Sequence, residues 1–181
     1  MTTTWSGVLC SPGEAHECGR VLGSILQAGD LVVLNGPLGA GKTTLTQGLA
    51  AGLGVRGPIT SPTFVIARVH PSLINGPLLV HVDAYRLGGH AELDDLDLDT
   101  DLEHAVTVVE WGAGVAEGLG DSRLEIVLGV TLEPGDGDSH PSLGSPSVRT
   151  IRVTAVGPAW SRSGRADAVG DWLAGFGGEG R

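Results

Sequence analysis

The sequence predicts a single α/β domain built on a central mixed, largely parallel sheet with helices on both faces. Three observations predict it. The chain has 181 residues, 41% of them apolar, which suffices for one core. A short apolar run, Leu31–Leu34, passes through a glycine-rich turn into a helical pattern. Two later apolar runs each end on an acid, Asp83 and Glu110, as strands do where a sheet edge faces a ligand.

Taken in order, the first clear element is a helix opening at Ser11-Pro12-Gly13-Glu14. Ser11 is suited to cap it, Pro12 to its first position, and Glu14 to complete a capping box. Ala15, Cys18, Leu22, Ile25 and Leu26 recur at helical spacing, and Gly29 is a natural stop. The run Leu31–Leu34 suits a buried central strand. Beyond the glycine-rich turn, Leu45, Leu49 and Leu53 line one face of a second helix ending at Gly54.

The period then changes. Thr63–Val69 and Leu78–Val82 read as strands joined by a hairpin whose turn is Asn75-Gly76. Ala91–Glu103 carries seven acids and no base, which predicts a short helix and loop with a solvated acidic face. Ala105–Val109 is a further strand, followed by Trp111 and a short helical pattern to Leu119. Arg123–Leu132 and Val148–Val156 alternate as strands, around a mobile hairpin loop at Glu133–Ser147 rich in Pro, Gly, Ser and Asp. A last helix is expected over Ala166–Leu173, with a loose tail at Gly175–Arg181. No internal repeat and no domain boundary is visible.

Composition narrows the function classes. Twenty-one acids against eleven bases give a net charge of −10, and the bases are ten scattered arginines and one lysine, Lys42. Gripping tRNA or DNA tightly requires a basic stripe that displaces counterions, so direct nucleic-acid binding is not expected. A small phosphorylated ligand remains compatible, because one local site can be positive on an acidic surface. Cys10 and Cys18 form no metal-ligand or redox spacing and read as plain thiols. No signal peptide and no membrane span is read, so a cytoplasmic location is expected. Glycine numbers 30 of 181, against a usual share of about 7%. Turns, close backbone approaches or a G- and C-rich genome would each account for it.

The chemistry begins at Gly36-Pro37-Leu38-Gly39-Ala40-Gly41-Lys42-Thr43, which satisfies GxxxxGK[ST] between a strand and a helix. Glycines let backbone N–H groups turn inward around phosphate oxygens, and the helix N-terminus adds its positive end. Lys42 is placed to reach the β- and γ-phosphates, and the Thr43 hydroxyl to hold Mg²⁺. Chance would be the alternative in a glycine-rich chain, but the single lysine falls on the one position that needs it. This predicts a P-loop NTPase fold that binds a nucleotide through Gly36, Leu38, Gly39, Ala40, Gly41, Lys42, Thr43 and Thr44. Asp83 and Glu110, at neighbouring strand ends, are the candidates for metal binding and for orienting water. The hydroxyls of Thr60-Ser61-Pro62-Thr63, above all Ser61 and Thr63, suit a loop that senses the γ-phosphate. Capping or structural roles are the simpler alternative for each acid and hydroxyl alone.

These motifs, in this order, resemble one family. Gly39–Thr44, Ser61-Pro62-Thr63-Phe64, His81-Val82-Asp83-Ala84-Tyr85-Arg86-Leu87 and Val109-Glu110-Trp111 match the pattern of TsaE, over roughly residues 10–130. The resemblance implies a Mg²⁺-dependent ATPase, weak alone, that serves threonylcarbamoyl modification of the adenosine beside the tRNA anticodon. It implies association with the TsaB–TsaD pair, switch-like behaviour of the SPTF hydroxyls, and a place for Trp111 near the nucleotide. Two departures stand out: Pro37 replaces an acid found in many members, and Glu133–Ser147 is longer than the usual turn. Two other function classes were compatible at this level. A small-molecule phosphotransferase would need lid arginines, and only Arg56, Arg68 and Arg86 lie between Thr44 and Glu110. A nucleotide-binding module without turnover would lack partner-stimulated phosphate release.

Overall fold

A computed structural model describes residues 2–62, 66–86, 103–131, 148–161, 164–177 and 179–180. Ser11 caps helix α1 (Pro12–Ile25), its hydroxyl accepting the Glu14 N–H at 3.1 Å. Glu14 returns the bond one residue further back than expected, accepting from the Cys10 N–H at 2.7 Å. The helix ends at Ile25, short of Gly29. Gly29 takes a left-handed φ of +88° and donates to the Ala105 carbonyl, so it aims the chain into β2 (Leu31–Asn35) rather than closing the helix.

Helix α2 (Lys42–Leu53) ends on Gly54, whose φ of +67° suits a left-handed cap. β3 (Ala67–His70) and β4 (Leu78–Asp83) form the antiparallel hairpin, turning at Asn75 with φ +58°. β5 (Ala105–Glu110) follows, then a 3₁₀ turn at Ala116–Leu119 in place of a longer helical segment. β6 (Arg123–Thr131) and β7 (Val148–Val156) pair antiparallel in continuous register from Arg123↔Val156 to Thr131↔Val148. The predicted strand start at Thr63, the acidic run up to Asp101 and Leu102, and the Glu133–Ser147 loop lie outside the described residues.

Three elements were absent from the sequence reading. β1 (Thr2–Leu9) pairs antiparallel with β7, from Thr2↔Val156 to Leu9↔Arg149. A one-turn helix, α3 (Pro158–Ser161), precedes α4 (Arg165–Ala174). The tail expected to be loose contains β8 (Glu179–Gly180), which adds to the free edge of β1. The sheet order is β3-β4-β5-β2-β6-β7-β1-β8. The four central strands β4, β5, β2 and β6 run parallel, and the flanks are antiparallel. The sheet is mixed as expected, with its parallel part confined to the middle.

Strand alternation sorts the core into two faces. Val32 and Leu34 of β2, Leu79 of β4 and Val106 and Val108 of β5 pack toward α1, α2 and α4, with Trp5, Trp160 and Trp172. Leu31, Val33, Val80, Val82, Ala105 and Val109 face the opposite side, where Ala116 covers them. The expected helices on both faces are therefore unequal among the described residues: four helices, one of them the single turn α3, on one side, and 3₁₀ turns at Ala84–Arg86 and Ala116–Leu119 on the other. The cysteines are free; Cys18 is buried, and burial pushes its thiol up to about 12.

Candidate nucleotide-binding site

Three parallel strands end at one edge, and the chemistry collects there. β2 leads into the loop Gly36–Gly41, β4 ends at Asp83, and β5 ends at Glu110, whose register partner is Asp83 itself. Period two fixes which way the acids point. Asp83 shares the parity of Leu79, and Glu110 that of Val106 and Val108, all on the α2 side of the sheet. A cavity of about 590 Å³ opens at this edge, within the usual range for small-ligand sites. It is lined by Leu38, Gly39, Gly41, Lys42, Thr43, Thr44, Ser61, Asp83, Glu110 and Trp111, and by four residues not anticipated, Pro12, Ala15, Tyr85 and Arg149.

The loop is shaped by glycines where no side chain fits. A Cβ on Gly36 would sit 2.4 Å from the Leu128 carbonyl, and Gly41 takes a φ of +101° at the helix N-cap. Gly36 is half-buried and Ala40 is buried in the core, and neither lines the cavity. Leu38, by contrast, is almost fully exposed at the mouth. The Lys42 ammonium is buried and donates to the carbonyls of Gly36 at 2.8 Å and Pro37 at 3.0 Å. It also stands 3.8 Å over the Trp111 ring. Burial lowers its pKa, and the charges of Glu110 and Asp83 oppose that shift.

Both acids are buried and hydrogen-bonded. Asp83 Oδ2 accepts from the Ser61 hydroxyl at 2.7 Å, and its Oδ1 from the Tyr85 N–H at 3.0 Å. Glu110 Oε1 lies 2.9 Å from His81 Nε2. The Thr43 hydroxyl approaches both Glu110 oxygens at 3.4 Å, and Thr46 approaches Oε1 at the same distance while bonding the Lys42 carbonyl at 3.0 Å. The loop carrying Ser61 is tied to α2 where Gln47 donates to the Ile59 carbonyl at 2.9 Å. Thr63 lies outside the described residues.

Trp111 takes a left-handed φ of +60°, rare for a bulky residue. Its N–H continues the β2 pairing by donating to the Leu34 carbonyl at 2.8 Å, and Asn35 Oδ1 accepts from Ala113 at 3.0 Å. The turn throws the indole across the cavity against Tyr85, with ring centroids 5.1 Å apart at 57°. Sequence reasoning missed His81 and Arg149 as neighbours of the site. His81 carried a signal, since it shares strand parity with Asp83. Arg149 carried none: it reaches the loop from β7, its Nε within 3.6 Å of a Cβ built on Gly41.

The donor set suits magnesium with a nucleotide. Hydroxyl and carboxylate oxygens of Thr43, Asp83 and Glu110 line one cavity with the glycine-rich loop and Lys42. Among the described residues there is no cluster of three or more His, Cys, Asp or Glu side chains able to hold a metal. Mg²⁺ is commonly held by one or two carboxylates together with phosphates and water, so this sparse set fits it.

Comparison with known proteins gives the family. Residues 9–133 match the family described as threonylcarbamoyl adenosine biosynthesis protein TsaE. A Streptomyces coelicolor protein named tRNA threonylcarbamoyladenosine biosynthesis protein TsaE is 56% identical over 147 residues, covering 81% of this chain and 93% of that protein. The Bacillus subtilis protein of the same name is 38% identical over 149 residues, covering 81% and 83%. The crystal structure of Bacillus subtilis YdiB superposes with a TM-score of 0.69 at 26% identity, covering 97% of each chain. With the P-loop, both strand-end acids and Trp111 inside the matched segment, the chain belongs to the TsaE family.

Proposed function

We propose that this chain is a Mg²⁺-dependent ATPase that supports threonylcarbamoyl modification of the adenosine beside the tRNA anticodon, acting through a TsaB–TsaD complex. One observation carries the ATPase reading: Lys42, Thr43, Asp83 and Glu110 converge on a single cavity at the P-loop. Family membership supports the biosynthetic role and a nucleotide-binding one.

Each residue has a task that its surroundings support. Lys42 exchanges the carbonyls of Gly36 and Pro37 for phosphate oxygens, a stronger partnership for a buried cation. Backbone N–H groups from Gly39 to Thr44 surround the phosphates at the start of α2. Glu110 stands against Thr43, so these two form the metal-facing side. Asp83, tied to Ser61, stands on the loop side, where a carboxylate can accept a hydrogen bond from the attacking water and orient it. Magnesium bound there would supply charge neutralisation for the phosphate oxygens. Trp111 and Tyr85 shield the Lys42 side of the cavity from water.

The test is reconstitution of threonylcarbamoyl transfer with TsaB, TsaD, tRNA and ATP. Modified adenosine and phosphate release should both depend on this chain and fall together in Lys42→Ala. Modification that proceeds at full rate without the chain would defeat the proposal. So would phosphorylation of a small-molecule acceptor in place of phosphate release.

A further inference from the structure

The buried imidazole of His81 has no part in the chemistry described so far, yet it makes the shortest contact to Glu110. It is fully buried, with Nε2 at 2.9 Å from Glu110 Oε1, while its Nδ1 has no partner among the described residues. Strand geometry accounts for the meeting. Glu110 is the register partner of Asp83, and His81 lies two residues earlier on the same face of β4, so the contact is a cross-strand diagonal. The surroundings satisfy only one arrangement of a neutral ring: the proton on Nε2, donated to the carboxylate, and a bare Nδ1.

We propose that His81 is a positioning residue: by donating Nε2–H to Oε1 it fixes the Glu110 carboxylate so that Oε2 faces Thr43 and the cavity. This rests on the reading of Glu110 as the metal-facing acid. A carboxylate free to rotate would sample orientations that abandon the Thr43 side. Thr43 approaches both oxygens at 3.4 Å, but Oε1 also meets His81 and Thr46, so among the described residues Oε2 is left with Thr43 and the cavity alone. Metal-site carboxylates are held by such outer partners, whose loss weakens metal binding without touching the ligand atoms.

The experiment measures the Mg²⁺ concentration that half-saturates nucleotide binding, by calorimetry, in wild type, His81→Leu, His81→Asn and His81→Gln. Each is also measured in a Glu110→Ala background. The amide nitrogen of Gln reaches the place of Nε2, whereas that of Asn reaches only the place of Nδ1. His81→Leu and His81→Asn should raise the Mg²⁺ requirement about tenfold or more. His81→Gln should restore most of it. In Glu110→Ala, His81→Leu should add no further loss, because the group it acts through is gone. In ¹⁵N-histidine spectra of the nucleotide-free protein, one ring should show a protonated, exchange-protected Nε2 that vanishes in His81→Gln and shifts in Glu110→Ala.

Equal losses in both backgrounds would assign His81 a general structural role and overturn the inference. An unchanged Mg²⁺ requirement in a folded His81→Leu, alongside a raised one in Glu110→Ala, would overturn it too. If Glu110→Ala alone leaves the requirement unchanged, the metal-facing reading of Glu110 falls, and the inference falls with it. The single variant reports that outcome separately.

Discussion

The Lys42 ammonium is buried with carbonyls rather than a carboxylate in contact, and an indole face closes over it. Phosphate oxygens would replace neutral acceptors with charged ones, so the lysine contributes most when nucleotide is bound. Charge-assisted bonds contribute about 1.5–3 kcal/mol each, so Lys42→Ala should cost at least roughly tenfold in ATP affinity by calorimetry. Unchanged affinity would refute the P-loop assignment. Trp111 gives an optical readout of the same event. Its ring lines the cavity, whereas Trp5, Trp160 and Trp172 are buried in the helical core. Nucleotide should therefore change the emission, and Trp111→Phe should remove most of the change; a signal surviving intact would mean a different tryptophan responds. The P-loop was legible in the sequence because its spacing demands particular residues in a row. Asp83 and Glu110 were legible as strand ends, but their register partnership was not, because pairing between strands some 27 positions apart leaves no local pattern. Arg149 was hidden for the same reason, reaching the loop from a strand more than a hundred residues later.

Helices α1 and α2 approach so closely that backbone meets backbone. A Cβ on Gly48 would lie 1.9 Å from the His16 carbonyl oxygen, and one on Gly19 would lie 2.1 Å from that of Leu45. This contact carries the start of α1 to the cavity, where Pro12 and Ala15 form part of the wall. Alanine for glycine inside a helix normally gains up to about 1 kcal/mol, so here the sign is diagnostic. Gly48→Ala and Gly19→Ala should instead destabilise by about 1–3 kcal/mol through overpacking, and should weaken nucleotide binding as α1 is pushed off the site. Gly13→Ala, whose Cβ meets nothing nearer than the Ser11 hydroxyl at 3.7 Å, should be neutral or stabilising. Thermal unfolding of the three variants decides it: a stabilised Gly48→Ala would contradict the packing. Both helices were readable from their leucine spacing, but the glycines four apart on each were not read as a contact, since periodicity counts only apolar residues. β1 escaped because threonines dilute its alternation and its partner, β7, lies at the other end of the chain.

At the scale of the whole molecule, the parallel centre of the sheet was legible from one strand–loop–helix unit and two acid-ended strands. Of the antiparallel flanks, the β3–β4 hairpin was legible from Asn75-Gly76 and the β6–β7 strands from their alternation, but β1 and β8 were not, because they join the two ends of the chain. The charge balance was open to direct reading, and it bears on how the chain serves a tRNA reaction. Net charge is −10, and three of the described arginines are already engaged with acids: Arg20 with Glu17, Arg123 with Glu125 and Arg165 with Asp30. Arg149 lines the nucleotide cavity, and no described helix is long and apolar enough to cross a membrane. The six other arginines are scattered along a chain with twenty-one acids rather than gathered in a stripe that would release counterions, and the net negative charge repels a phosphate backbone at long range. The expectation is that the isolated chain binds tRNA no more tightly than the non-specific range of about 10⁻⁴ to 10⁻⁶ M at physiological salt. Filter binding with labelled tRNA checks this, alone and with TsaB and TsaD. Retention should require the partners, and adding this chain with ATP should alter that retention only through them. Tight, strongly salt-dependent retention by the chain alone would show that it contacts tRNA directly, and the division of labour proposed here would have to be redrawn.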